Sequence, residues 1–256
     1  MRRVTSLAAL VTVVIACSGP SPGQSYETIA EAVAAAPTGG TVRVPAGHYV
    51  ESITIDRPMT LVAEPGGVRL VGQISVVDAS GVTVEGFTIR ANETAISARG
   101  GDGIRIVGNE IVGAGYRGIH VVNASAEIVG NEIYEARGPY VVGIHVANAI
   151  ARPPSVISGN VIELDGAYGI AVNFAHAQVR GNTVRGGTSA GLAVNEMSIV
   201  EVRENTVDGA PRYGILVTDM SHAEVVGNTV TGSQEPIMLQ FHSTAEIDDN
   251  RFVSGR

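Results

Sequence analysis

A repeat constrains this chain more than any other feature. The tetrad Gly-Asn-x-Val/Ile, or a close variant, recurs with its asparagine at Asn109, Asn131, Asn160, Asn182, Asn205, Asn228 and Asn250. The steps between them are 22, 29, 22, 23, 23 and 22 residues. Phe87 stands another 22 residues before Asn109, in the segment Gly86-Phe87-Thr88-Ile89. A second column, Gly-Ile-x-Val or a near match, keeps phase with the first at Gly118, Gly143, Gly169, Gly191 and Gly214, and Pro236-Ile237-Met238-Leu239 closes it. Self-similarity at a fixed period is the mark of a solenoid. Within each period the apolar residues fall at alternate positions, which is the strand pattern, and no period holds a helix-length amphipathic segment. About 22 residues suit one coil of three short strands and three turns, stacked so that neighbouring coils bury one another's valine, isoleucine and leucine. The fold class expected is therefore all-β: a right-handed parallel β-helix solenoid of about nine coils.

The asparagine column has a physical reason within that fold. Asparagine tolerates the left-handed backbone of a sharp corner. Stacked one strand spacing apart, about 4.8 Å, its amides can bond along the stack. The step of 29 marks an insertion in one coil, and residues 149–155 (AIARPPS) read as a protruding loop. Residues 26–36 (YETIAEAVAAA) carry a helical pattern suited to covering the first coil. No comparable cap is apparent after Asn250, so the strand edges of the last coil invite self-association.

Composition narrows the function. The 256 residues carry a net charge of −8, and all 17 basic residues are arginine. The absence of lysine excludes Schiff-base chemistry and a phosphate-binding loop ending in Gly-Lys. The acidic balance speaks against a nucleic-acid partner. Arg2 and Arg3 precede a short apolar stretch at residues 7–16, too short to span a bilayer and suited to a signal peptide. Val14-Ile15-Ala16-Cys17 resembles the lipobox of bacterial lipoproteins, with Cys17, the single cysteine, as the lipidated residue. Residues 1–16 are then signal peptide, 17–25 a tether and 26–256 the β-helix domain. Loss of the two arginines moves the charge from −8 to −10. The protein expected is anchored through lipid to the bacterial cell envelope.

Four groups of residues could carry chemistry. His120 and His145 both occupy the x of Gly-Ile-x-Val, so they point out of the core on adjacent coils. With Arg117 and Tyr140 they could supply the base, the carboxylate-neutralising cation and the proton donor that a uronate lyase or epimerase needs; a solvated polar ladder is the plainer reading. Asn173, Asn195, Glu196 and Asp219 form an amide and carboxylate stripe that could bond sugar hydroxyls or hold Ca²⁺. Met197, Met220 and His242 each precede a ladder asparagine by eight residues and are of ligand types that suit Cu(I); filling of the core is the alternative. Tyr168 and Tyr213 directly precede the repeat glycine, and such tyrosines in a line can stack on a polysaccharide.

Residues 28–72 contain Ala32-x-x-x-Ala36-Pro37 followed by Val44-x-x-Gly47-x-Tyr49-x-Glu51. This pattern resembles the N-terminal portion of pectin methylesterases and of the non-catalytic periplasmic β-helix proteins linked to copper delivery for nitrous oxide reductase. Residues 86–250 resemble the parallel β-helix repeat of sugar-binding and sugar-cleaving proteins of the pectin-lyase-like superfamily. The catalytic sets of those proteins do not carry over. Asp-Phe-x-Phe-Gly is absent, Asn182-Thr183 and Asn205-Thr206 are followed by valine rather than aspartate, and there is no Asp-Pro. The function expected is binding of an extended carbohydrate or cell-envelope polymer without catalysis and without an obligatory cofactor. A uronate lyase or epimerase and a copper-handling accessory protein are the alternatives.

Overall fold

The computed structural model describes residues 14–16 and 26–253. Within them the chain winds as a solenoid whose every coil contributes to three stacks of parallel strands. One stack, the front, runs through Ile53–Ile55, Ile74–Val77, Thr94–Arg99, Arg117–Val122, residues 142–149 and 168–175, Ala190–Asn195, Tyr213–Val217 and Glu235–Leu239. The second stack begins at Gly40–Val44 and ends at Thr244–Asp248. The third begins at Gly47–Val50 and ends at Arg251–Val253. Glu132–Ala149 and Val161–Arg180 are continuous strands that bend around corners to serve more than one stack.

Alternation places the inward residues of all three stacks in one continuous core. Ile119, Val121, Ile144, Val146, Ile162, Val184, Val207 and Val230 are buried there. Space runs out at the column of repeat glycines. A Cβ on Gly169 would lie 2.2 Å from Cγ1 of Val184 and 2.7 Å from the carbonyl oxygen of Gly191. Gly191 and Gly214 meet Val207 and Val230 in the same way. None of these three glycines has a positive φ, so the column is a matter of volume and not of backbone freedom.

The asparagine ladder forms, with one change in who bends the chain. The left-handed residue is the one before each asparagine: Gly108, Gly130, Gly159, Gly181, Glu204, Gly227 and Asp249, with φ between 50° and 68°. Glycine takes this conformation without steric cost, and asparagine is freed for hydrogen bonding. Nδ2 of Asn131 donates to Oδ1 of Asn160 at 3.0 Å, and Nδ2 of Asn160 donates to Oδ1 of Asn182 at 2.9 Å. The backbone N–H of each asparagine donates to the same oxygen, as from Asn131 to Asn160 at 2.9 Å. The ladder runs unbroken from Asn109 to Asn250, and its first oxygen receives the N–H of buried Phe87 at 3.1 Å. The buried asparagine amides of this corner thus have partners on both their oxygen and their nitrogen.

A second ladder, of serines, supports the corner between front and second stacks. The N–H groups of Ala175, Ser198 and Ser221 donate to Oγ of Ser198, Ser221 and Ser243. Its signal in the sequence is Ser198, Ser221 and Ser243 at steps of 23 and 22.

The helix Ile29–Ala35 covers the first coil, burying Ile29, Ala32 and Val33 in the main core. Charged side chains clamp both of its ends. The Glu51 carboxylate accepts the N–H groups of Ile29 and Ala30 at 3.0 and 2.9 Å, and the Arg57 guanidinium donates to the carbonyls of Val33, Ala34 and Ala36. These are the orphan groups of a helix, and the charges oppose its dipole. Val14–Ala16, the end of the expected signal peptide, lies antiparallel to residues 41–43; Cys17 lies outside the described residues. In the last described coil, inward positions that are buried elsewhere are exposed at Ile247 and Phe252.

Candidate functional site

The outward residues of the front stack form three columns. Thr94, Arg117, Val142, Tyr168, Ala190, Tyr213 and Glu235 make the first. Ser75, Ser97, His120, His145, Ala171, Ala193, Leu216 and Met238 make the second. Val77, Arg99, Val122, Ala147, Asn173 and Asn195 make the third. The face is polar in its middle coils and apolar beyond them. There Val142, Ala171, Ala190, Ala193, Tyr213 and Leu216 pack into a second, external cluster.

The expected histidine pair forms. The rings of His120 and His145 stack with centroids 5.1 Å apart and an interplanar angle of 6°. Nε of Arg117 donates to Nδ1 of His145 at 2.9 Å. The proton of His145 therefore sits on Nε2, which donates to Oδ1 of Asn173 at 3.2 Å. Nδ2 of Asn173 donates in turn to Oε1 of Glu196 at 3.1 Å, and Nδ2 of Asn195 to Oδ1 of Asn173 at 3.3 Å. One hydrogen-bonded chain thus joins Arg117, His145, Asn173, Asn195 and Glu196, two groups that the sequence left separate.

Both imidazoles are held neutral. Burial, aided by Arg117, His145 and Arg99, lowers the pKa of His120 from 6.5 to about 3. Burial and Arg117 lower that of His145 from 6.5 to about 4, against the opposing bond to Asn173. Desolvation and cationic neighbours both disfavour the imidazolium. With both nitrogens of His145 engaged, it has no lone pair free to act as a base. The ring of His120 has no protein hydrogen bond among the described residues.

Beside this network lies a pocket of about 490 Å³, lined by Gly115, Tyr116, Gly138, Tyr140, Val142 and Tyr168 among others. It occupies the turn that leads from the third stack into the front. Tyr116 and Tyr140 are 45% and 78% exposed. The guanidinium of Arg117 lies 4.0 Å above the Tyr116 ring, so that ring and His145 fix it from two sides. Such a fork is set for a planar anion.

The remaining candidates fall elsewhere. Tyr168 lines the pocket, but Tyr213 does not stand in an exposed line with it. It is buried on the front face, its hydroxyl accepting from Nε2 of Gln240 at 3.1 Å, because the sheet beneath it is floored by small alanines. Asp219 sits at the left-handed corner one coil on from Glu196, its carbonyl accepting the N–H of Met197 at 2.8 Å, and its carboxylate takes no part in the Asn173 network among the described residues. Met197, Met220 and His242 do form a column, each in left-handed conformation at the corner after the front strand. Met197 and Met220 are 49% and 63% exposed, so they do not fill the core. No cluster of three or more His, Cys, Asp or Glu side chains suited to a metal occurs among the described residues. The insertion is tied down by Arg152, whose Nη1 bonds Oδ2 of Asp102 at 3.1 Å. Its Pro154 lies by His176 and Ile199 on the second stack, so it does not wall the front face.

The sequence pattern described as the right handed beta helix region matches residues 72–230 and 142–256. The chain belongs to that family. No curated protein matches the sequence. Among solved structures, a rhamnogalacturonan lyase superposes with a TM-score of 0.63 at 12% identity, covering 83% of this chain and 70% of its own. A periplasmic alginate epimerase gives 0.54 at 12% identity, covering 84% and 76%. An alginate lyase of family PL6, solved with a trisaccharide, gives 0.54 at 12% identity, covering 80% and 56%. At such identities the likeness establishes the parallel β-helix fold, which hosts many activities.

Proposed function

We propose that the protein binds an extended carbohydrate or cell-envelope polymer bearing acidic sugars, without cleaving it. The observation that carries this reading is the tyrosine-lined pocket opening beside an arginine held in place by Tyr116 and His145. Exposed rings offer stacking surfaces to sugar faces. Arg117 and Arg99 offer charge to a carboxylate, and Asn173, Asn195 and Glu196 offer hydrogen bonds to hydroxyls. The names of the structural neighbours, which act on rhamnogalacturonan and alginate, support a glycan as ligand.

A glycan array rich in uronate polymers and peptidoglycan fragments tests this with the domain from residue 24 onward. Acidic glycans should bind, and Tyr140→Ala and Arg117→Ala should each weaken that binding about tenfold. Absence of any glycan binding would remove the reading. The lyase or epimerase alternative rests on His120, whose ring nitrogens have no hydrogen-bond partner among the described residues. It requires turnover of a uronate polymer that His120→Ala abolishes.

The exposure of Met197 and Met220 favours a second reading, a soft-metal site with His242. Titration with Cu(I) under a competing chelator should then show binding that Met197→Ala and Met220→Ala weaken. The lipid anchor at Cys17, and with it residence in the cell envelope, is tested by mass spectrometry of the membrane-extracted protein and its Cys17→Ala variant. Self-association through the last coil is tested by sedimentation across a concentration range.

A further inference from the structure

A second pocket of about 490 Å³ lies in the same turn as the tyrosine pocket, nearer the N-terminal end, lined by Ser52, Gln73, Arg90, Asn92, Glu93 and neighbouring residues. The two are chemically distinct. The first is walled by three tyrosines and carries no charged residue in its lining, whereas the second offers a guanidinium, a carboxylate, two amides and two hydroxyls.

They are also collinear. The turns at residues 52, 73 and 92 belong to three successive coils, and those at 115, 139 and 167 to the next three. Backbone bonds join these turns across the stack: Ile53 to Gln73 at 2.9 Å, Gly72 to Arg90 at 3.0 Å, Tyr116 to Glu93 at 3.2 Å and Val142 to Tyr116 at 3.1 Å. Six turns at one strand spacing each extend over about 24 Å along the solenoid axis.

Arg90 lines the second pocket and reaches toward the coils that form the first. A Cβ on Gly113 would lie 3.5 Å from its Nη1, an ordinary contact distance, so its guanidinium passes directly over that glycine. Its Nη2 reaches Oε2 of Glu135 at 3.7 Å, and both side chains of this pair are 61% exposed. So long and exposed a pair contributes little and is readily exchanged for another anion.

We infer that the pocket at Arg90 is a second subsite for the same polymer. The glycan lies parallel to the solenoid axis, with one sugar against Tyr116, Tyr140 and Tyr168. A carboxylate several units along replaces Glu135 on Arg90, while Gln73, Asn92 and Glu93 take hydroxyls. This rests on the glycan reading of the tyrosine pocket and adds direction and a minimum length to it. Linking two weak sites through one chain raises affinity only when the chain spans both.

Isothermal titration with mannuronate oligomers, from disaccharide to octasaccharide, tests it. The wild-type protein should gain affinity sharply between short and long oligomers. Arg90→Ala combined with Asn92→Ala should lose about tenfold on the long ones and nothing on the disaccharide. Tyr140→Ala should lose affinity at every length. No gain with length, or an equal loss at all lengths in the Arg90 and Asn92 variant, overturns the second subsite and leaves the tyrosine pocket standing. Unchanged affinity in Tyr140→Ala overturns the pocket itself, and no binding of any oligomer overturns both.

Discussion

Replacing Asn160 by alanine probes the device that closes each coil. Asn160 is fully buried in mid-ladder. Its Oδ1 accepts the backbone N–H and the Nδ2 of Asn131 at 2.9 and 3.0 Å. Its Nδ2 donates to the carbonyl of Ile128 and to Oδ1 of Asn182, each at 2.9 Å. In the variant the N–H of Asn131 is left buried without a partner, which costs about 1–3 kcal/mol, and each lost amide bond costs about 1 kcal/mol more. The Oδ1 of Asn182 keeps a donor, because the backbone N–H of residue 160 remains. With three amide bonds lost beside the orphaned N–H, the expected loss is about 4–6 kcal/mol, a large share of a typical stability of 5–15 kcal/mol. Asn250→Ala removes the same kinds of bond in the last described coil, where the corner is only partly buried. Water can replace the amide there, so the expected loss is about 1 kcal/mol. Urea unfolding followed by circular dichroism reads both variants against the parent, with the m-value as a check that the same surface is exposed. Equal losses below about 1 kcal/mol at both positions would refute the reasoning, because the ladder bonds would then be no better than bonds to water.

Three further predictions follow from the same packing and electrostatics. Gly169→Ala forces a methyl against Val184 and the Gly191 carbonyl and should cost several kcal/mol, about 3, in the same unfolding assay, whereas alanine at exposed Gly209, with open space at its Cβ, should be limited to the strain of its positive φ, about 1 kcal/mol. His120 and His145 have folded pKa values of about 3 and 4, below the ordinary 6.5. Between these values the unfolded chain binds more protons than the folded one, so stability should be steady above pH 6.5 and fall as the pH drops toward about 4. The His120→Gln, His145→Gln double variant should flatten that limb, and an unchanged limb would exclude the pair as its cause. Glu51→Ala and Arg57→Ala each strip one end of the capping helix and should cost about 1–2 kcal/mol, read as faster amide exchange over Ile29–Ala35.

The fold was legible because its two signals are periodic and redundant. A run of buried Ile and Val at alternate positions fixes strands, and the asparagine step fixes the coil length. Even so, the sequence misassigned the bending residue. A Gly-Asn pair fits a left-handed residue at either position, and only the bond from Asn131 to Asn160 shows that the asparagine must point inward, leaving the glycine to turn. The histidine pair was legible for the same reason as the core, since two outward positions in register on adjacent coils must meet. The bond from Arg117 to His145 was not, because it joins residues 28 apart and crosses from one outward column to another. The pocket at Arg90 gave no sequence signal at all. Its walls come from turns whose lengths vary, and no periodic pattern marks Gln73, Asn92 and Glu93 as neighbours.

This division between legible and illegible parts has a structural cause. The corners before the third stack and after the front stack are closed by buried ladders of asparagine and serine, and the inward columns are filled by side chains with no spare volume. Those positions answer to stability and therefore repeat. The turn from the third stack into the front has no such ladder among the described residues. It holds Ala91 to Glu93 in one coil, Gly113 to Tyr116 in the next, and Glu135 to Tyr140 in the one after. The two pockets described above lie along this turn, and Arg117, the residue that orders the front-face network, follows directly from it. A solenoid that secures two of its corners by repetition leaves the third free to differ from coil to coil. A ligand site with distinct ends can arise only where successive coils differ, and the glycan site proposed above lies along this turn rather than on the ladders.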